Sequence, residues 1–176
     1  MTDGFLERYQ STPSPFNPDV LEAIATAVAL DVPRLGLLVI PSSAPVFRAV
    51  YELREMGLDA RVFDPQKPVV QHDQDEDEDE DEDPVLLVTT VAMARGLDMP
   101  DVTHVFSLGI PEGPRVTGRS IDAYLHVAGR VGRFGRHGTV VTVVEEEESV
   151  PETAGSRMKR ILREVGVAAV RFRQFK

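Results

Sequence analysis

The chain has 176 residues, and its hydrophobic fraction of 42% and charged fraction of 27% are ordinary for one globular domain. No apolar run approaches the roughly 20 residues that span a bilayer, and the first residues do not have the pattern of a signal or transit peptide. Cysteine is absent, which excludes disulfides, thiolate metal sites and a cysteine nucleophile, and we expect an intracellular protein in a reducing compartment.

The net charge of −10 comes from one segment. Residues 71–83 carry ten acidic residues and no basic one, whereas the rest of the chain has 19 acidic and 19 basic residues. The negative net charge is therefore no argument against nucleic-acid binding by the rest of the domain. Alternating Asp and Glu offer no apolar face, so we predict a disordered acidic loop over residues 71–84, inserted in a folded domain.

Strand-like and helix-like segments alternate along the chain. Residues 1–18, rich in Pro, Ser and Asn, predict a flexible arm, and residues 173–176 a short tail. Short apolar runs predict strands at residues 35–40, 60–63, 85–89, 102–106 and 139–144, with a possible closing strand at 167–172. Helical spacing of apolar residues predicts helices from Asn17 to before Pro33, from after Ser43 to Gly57, at 120–129 and at 156–165.

This alternation is typical of an α/β fold. Uniformly apolar strands suit a mostly parallel sheet covered by helices on both faces, a three-layer sandwich that we place over residues 19–172. In such sheets ligands bind beyond the carboxyl ends of the strands, so the loops there are the first candidates for function.

Two loops follow strands and carry residues suited to phosphates or sugars. Ser42-Ser43 follows the first strand, where a hydroxyl serves as a helix cap or binds a phosphate. After the third strand, Thr90 is placed to contact a phosphate, and Asp98 suits a sugar hydroxyl. Arg95-Gly96 offers a charge beside an approachable backbone; a turn with an Arg–Asp pair is the alternative.

A third loop, which we also expect beyond the carboxyl ends of the strands, is rich in arginine and glycine. Arg130, Arg133 and Arg136 alternate with glycines before the fifth strand, and residues 115–136 hold five arginines and one acidic residue. Arginine presents a planar fork of donors that fits phosphate oxygens. Taken alone, this loop would be read as a solvated turn.

Together and in this order, the three loops resemble the second RecA-like domain of superfamily 2 helicases, most of all the DEAD-box RNA helicases. Residues 38–43 resemble helicase motif IV, residues 88–105 motif V and the strand after it, and residues 124–133 motif VI, whose family form is HRxGRxGR. The resemblance implies a RecA-like three-layer sandwich and the second half of an ATP-dependent RNA helicase.

The resemblance implies an ATP site shared between domains. Arg130 and Arg133 match the catalytic arginines that reach the γ-phosphate of ATP, with Arg133 as the arginine finger. Gly96 and Asp98 match the ATP-binding part of motif V, with Asp98 holding the ribose.

The resemblance also implies an RNA surface and a domain interface. Ser42, Ser43 and Thr90 match residues that contact the RNA backbone. His126 and Arg95 match residues that act at the interface with the first RecA-like domain. The partners implied are thus RNA and that first domain, in the same chain or another.

The chain departs from the family pattern at several places. Val127 replaces the first arginine of motif VI, Val91 replaces an aspartate of motif V, and residues 64–84 replace a helix with a Gln/Arg motif. The phosphate loop G-x-x-x-x-G-K-[ST] and the Asp-Glu-Ala-Asp stretch, which holds Mg²⁺, belong to the first domain of the family and are absent from these 176 residues. We therefore expect the chain alone to bind ATP weakly and to hydrolyse none.

Two further hypotheses stay open. The first is a non-catalytic module that binds RNA or ribonucleoprotein and has lost the ATP cycle, as the departures from motifs V and VI favour. The second is that the acidic run folds over the basic loop and competes with RNA, in which case deleting residues 73–83 tightens RNA binding at low salt.

Overall fold

The computed structural model describes residues 9–66, 85–96, 98–99, 101–109, 115–132, 137–145, 152–168 and 170. The predictions for the acidic run, for Arg133 and for the tail at 173–176 lie outside the described residues.

The structure gives the bounds of five strands and five helices in the described part of the chain. The strands are β1 (Leu35–Ile40), β2 (Asp59–Val62), β3 (Val85–Thr90), β4 (His104–Leu108) and β5 (Thr139–Val143). The helices are α1 (Pro18–Leu30), α2 (Val46–Glu55), α3 (Val91–Ala94), α4 (Gly118–Ala128) and α5 (Ala154–Val165). The strands form one sheet in the order β2-β3-β1-β4-β5, and every neighbouring pair is parallel. This confirms the predicted α/β fold.

Helix α1 begins where the sequence predicts a helix cap. The Asn17 side chain accepts a hydrogen bond from the Asp19 amide at 3.0 Å, and Pro18 opens α1. The four-residue helix α3 was not predicted, because one turn is too short to show an apolar period. Val167, Ala168 and Val170 are described but belong to no strand, so the proposed closing strand is not seen in this part of the chain.

Hydrophobic layers cover both faces of the sheet. On one face α1 and α2 pack through Leu21, Ile24 and Leu53 against β1, β3 and β4. On the other face α3 and α4 pack through Val91 and Val127 against the same strands. Helix α5 packs beside α4 through a smaller cluster. The sheet is thus the middle layer of a three-layer sandwich, as predicted.

The N-terminal residues are attached to the body from Tyr9 onward. The Arg48 guanidinium on α2 donates to the backbone carbonyls of Tyr9 and Thr12, and Ser14 Oγ donates to Glu52 at 2.8 Å. These contacts join residues 9–14 to α2, and the expectation of a flexible arm over residues 1–18 stays a prediction. Among the described residues, no helix is long and apolar enough to cross a membrane.

Candidate functional site

The loops after β1 and β3 meet at the carboxyl edge of the sheet. Ile40 and Thr90 are partners at the ends of adjacent parallel strands. Ser42 Oγ accepts a hydrogen bond from the Ala92 amide at 3.1 Å, and Thr90 Oγ1 accepts one from the Met93 amide at 3.3 Å. A hydroxyl that accepts one bond still has a hydrogen to donate. This edge therefore brings together the two predicted RNA-binding loops.

The second half of motif V leads away from that edge. Gly96 has a backbone φ of +83°, which favours glycine, and a Cβ built there would meet no atom within 4 Å. Asp98 is exposed, whereas Met99 is buried under the sheet with Leu35. Hydrogen bonding of the Thr103 amide to the Leu35 carbonyl at 3.0 Å fixes the following segment at the amino end of β1.

A cleft of about 420 Å³ joins motif V to α4. Its lining is Arg95, Arg119, Asp122 and His126. His126 Nδ1 lies 2.7 Å from the Asp122 carbonyl oxygen, which sets the direction of the imidazole ring. The structure thus brings together the two predicted interface residues, Arg95 and His126. Sequence reasoning missed Arg119 and Asp122, although their spacing from His126, by seven and four residues, places all three on one face of a helix.

Motif VI does not lie at the carboxyl edge of the sheet, where we expected it. Arg130 is 8% exposed, and its Nε donates to the His126 carbonyl at 2.8 Å. The turn that follows packs on the residues leading into β5, because a Cβ on Gly138 would lie 2.5 Å from Val131 Cβ and 2.8 Å from the Gly132 nitrogen.

The position of this turn corrects the expectation that all three loops lie beyond the carboxyl ends of the strands. A segment that leads into a parallel strand lies at the amino edge of the sheet, and β5 runs parallel to β4 from Thr139 onward. Arg130 therefore lies toward the opposite edge of the sheet from Ser42 and Thr90, and its guanidinium is bonded to the last turn of α4. Arg133, the predicted finger, lies outside the described residues.

A second polar cluster occupies the amino edge. His104 Nε2 lies 3.0 Å from Asp31 Oδ2, and the Thr139 hydroxyl donates to the same oxygen at 3.2 Å. The hydrogen-bonding contact with His104 lowers the pKa of Asp31 below its ordinary value. Over the described residues, no three His, Asp or Glu side chains are grouped as metal ligands.

Sequence comparison places most of these loops in one family. The family described as "Helicase conserved C-terminal domain" matches residues 42–135. ATP-dependent RNA helicase SrmB of Escherichia coli (strain K12) is 46% identical over 63 residues, which are 36% of this chain and 13% of that protein. Probable DEAD-box ATP-dependent RNA helicase 48 of Arabidopsis thaliana is 34% identical over 109 residues, 61% of this chain and 13% of that protein. The chain thus corresponds to a small part of the length of these relatives.

Solved structures share the fold. The C-terminal domain of the DEAD-box protein Dbp5 superposes with a TM-score of 0.56 at 19% identity, covering 85% of this chain and 80% of that domain. Prp28 of Chaetomium thermophilum bound to ADP gives a TM-score of 0.56 at 17% identity, covering 87% of this chain and 36% of that one. Identities this low show a shared RecA-like fold and nothing finer.

Proposed function

The chain belongs to the helicase conserved C-terminal domain family, and on that premise we propose that it is the second RecA-like half of a DEAD-box ATP-dependent RNA helicase. It would close on a first RecA-like domain that holds ATP and Mg²⁺ and would hold single-stranded RNA by its backbone. The observation that carries this proposal is the hydrogen bond between Ser42 Oγ and the Ala92 amide, because it sets the motif IV and motif V loops side by side.

Ser42, Ser43 and Thr90 would supply the RNA contacts. Ser42 and Ser43 are exposed, and the bond from the Ala92 amide to Ser42 Oγ holds their loop beside the start of α3, which the 9% exposed Thr90 caps. Hydroxyl donors suit the phosphate oxygens of a nucleic acid, and such contacts carry no sequence information. Support also comes from S. cerevisiae Dbp5 bound to RNA and ADP BeF3, which shares this fold with a TM-score of 0.57 at 18% identity, covering 85% of this chain and 37% of that one.

Gly96, Asp98 and Arg130 would contact an ATP molecule presented by a partner domain. The open space at Gly96 admits a ligand close to the backbone, and the exposed Asp98 carboxylate suits ribose hydroxyls. The Arg130 Nε bond to His126 fixes the guanidinium plane, as positioning of a phosphate requires. ATP, when bound, would supply the bond whose hydrolysis drives the cycle. Arg130 and Arg133 would stabilise the charge that develops on its γ-phosphate.

Complementation tests this function. The chain alone should show no RNA-stimulated ATP turnover, and adding the first RecA-like domain of a relative such as E. coli SrmB should restore it. Arg133→Ala should then lower turnover by about 10³-fold or more, since an arginine finger contributes about 10³- to 10⁵-fold. Arg61→Ala is the matched control, because Arg61 is half-exposed and pairs with Asp59 on β2. Robust turnover by the chain alone would contradict the proposal.

A non-catalytic RNA-binding module is the second candidate. The burial of Arg130 and the presence of Val127 in place of an arginine favour it. This candidate requires RNA affinity that is unchanged by ATP, by the added first domain and by Arg133→Ala. RNA affinity that rises with ATP and the first domain, and falls with Arg133→Ala, excludes it.

A further inference from the structure

A cavity of about 580 Å³ opens at the carboxyl edge, apart from the cleft at Arg95 and from Arg130. Its walls come from the loop after β1, the ends of β4 and β5, the start of α1 and the start of α5. Volumes of about 300–1,000 Å³ are usual for sites that bind small ligands. The size alone therefore fits a nucleotide.

The cavity lies at the topological switch point of the sheet. From β1 the chain moves to β2 on one side, and from β4 it moves to β5 on the other, while β1 and β4 are neighbours. In open parallel sheets ligands bind outside the carboxyl ends of two such strands, where the diverging loops leave a crevice. Pro41 and Ser43 after β1, and Leu108 and Gly109 at the end of β4, line this cavity.

The lining combines apolar walls with a few polar groups. Phe16, Val20, Leu108 and Val143 supply apolar surface. Phe16, Leu108 and Val143 also pack on the main core, so they are held in place. Ser43 and Arg157 supply a hydroxyl and a cation, and Asn17 and Glu145 add an amide and one carboxylate to the same lining. Apolar surface with an aromatic ring suits the face of a nucleobase, and a hydroxyl and a guanidinium suit a phosphate.

We propose that this cavity receives one base of the RNA strand whose backbone lies along Ser42 and Ser43. The inference rests on the proposed function, and it adds a base subsite to the backbone contacts. The strand is favoured over a free mononucleotide because the loop that lines the cavity at Ser43 is the loop that carries Ser42, the backbone contact. A nucleotide next to that contact is therefore within reach of the cavity.

Nuclear magnetic resonance of the whole 176-residue chain tests the proposal. A ten-nucleotide oligoadenylate should shift the methyl signals of Val20, Leu108 and Val143 together with the amide signals of Ser42 and Thr90. An abasic strand of the same length should shift the amides and leave the methyls unmoved. Adenosine monophosphate at the same nucleotide concentration should leave the methyls nearly unmoved.

Two variants check the assignment. Phe16→Ala removes the aromatic wall, and Ala154→Phe fills the cavity from the first turn of α5, where Ala154 lines it. Each should weaken oligoadenylate binding about tenfold, the size expected for losing one stacked base. Val32→Phe is the matched control, because Val32 is 60% exposed between α1 and β1 at the amino edge. It adds the same ring away from the cavity and should leave binding unchanged.

The outcomes separate this inference from the proposed function. Shifted amides with unmoved methyls, or full affinity of folded Ala154→Phe, would overturn the base subsite and leave the helicase proposal standing. Equal methyl shifts with adenosine monophosphate would make the cavity a mononucleotide site and overturn its assignment to the strand. If no signal shifts, the inference is overturned, and the complemented ATP turnover decides the proposed function independently.

Discussion

Two neighbouring threonines at the end of β3 have different environments. Thr90 Oγ1 caps α3 by accepting from the Met93 amide. Thr89 is 1% exposed, and its Oγ1 has no hydrogen-bond partner among the described residues. A buried hydroxyl without a partner loses its bonds to water on folding and gains none in return.

Replacing Thr89 with valine should therefore stabilise the protein. Valine keeps the branched shape and removes the polar atom, so we expect the free energy of unfolding to rise by about 1 kcal/mol. Thr90→Val, the adjacent control, removes a helix cap and should lower it by about 1 kcal/mol. Urea denaturation of both variants measures the two changes. A lower midpoint for Thr89→Val would show that the hydroxyl has a partner in solution.

Arg48 is the most connected charged side chain on α2. It is 7% exposed, and it lies 5.3 Å from the Tyr9 ring centroid and 5.7 Å from that of Tyr51. It donates to the Tyr9 carbonyl at 2.6 Å and the Thr12 carbonyl at 3.0 Å, and it forms an ion pair with Glu52. One planar guanidinium thus joins the N-terminal segment to the sandwich.

Arg48→Lys should release that segment although the charge is kept. An ammonium cannot present donors in a planar fork, so we expect a loss of about 1–3 kcal/mol in unfolding free energy and faster amide hydrogen exchange over residues 9–17. Arg61→Lys on β2, where the arginine is half-exposed, should change neither measurement. Unchanged exchange in Arg48→Lys would mean that the aromatic rings suffice to hold the segment.

At the scale of elements, the contact between motif VI and β5 depends on a missing side chain. A Cβ at Gly138 would approach Val131 Cβ to 2.5 Å and the Gly132 nitrogen to 2.8 Å, so only glycine allows this approach. The turn after α4 is therefore packed directly against the start of β5. This packing fixes the path of the chain that follows Arg130.

Gly138→Ala should disturb motif VI. Backbone cannot move away cheaply, so we expect a loss of about 1–3 kcal/mol in stability. We also expect a clear fall in ATP turnover complemented by a first domain. Gly118→Ala is the matched control, because a Cβ there would meet nothing within 4 Å and Gly118 begins α4. Denaturation and complemented turnover are the measurements, and equal behaviour of the two variants would contradict the close packing.

At the scale of the whole molecule, the amino edge links distant parts of the chain. Asp31 at the end of α1 contacts His104 at the start of β4 and accepts from Thr139 at the start of β5. The lowered pKa of Asp31 shows that its folded environment favours the carboxylate. Its contribution to stability is therefore present above its ordinary pKa of 3.8 and is lost as the pH falls through the lower pKa of the folded state.

Asp31→Asn should remove this acid-sensitive contribution. The wild type should be slightly more stable than the variant at pH 5 and above, by less than about 1 kcal/mol because Asp31 is exposed. The difference should shrink below pH 3.8. Denaturation across pH 2.5–6 measures it. Asp19→Asn is the control, because Asp19 is an exposed aspartate in the first turn of α1 and its replacement changes the charge of the same helix. A constant difference across this pH range would contradict the linkage.

The local sequence pattern predicted most of the helices and strands, but it did not predict which of them pack together. Apolar runs and caps predicted β1 to β5 and the start of α1, because period and capping are properties of adjacent residues. They missed α3, which is a single turn, and the contacts of residues 9–14 with α2, which depend on Arg48 some 39 residues away from Tyr9. The disordered acidic loop over residues 71–84 stays a prediction.

The sequence by itself determined the α/β class, the strand content and, through motifs IV, V and VI, the family. Only the tertiary structure decided which loops are neighbours. Ser42 and Ala92 are 50 residues apart and meet because β1 pairs with β3, whereas Arg130 precedes a parallel strand and so belongs to the amino edge. The cavity at the β1–β4 switch point likewise follows from strand order. Strand order depends on long-range packing of apolar faces, and a local period carries no record of it.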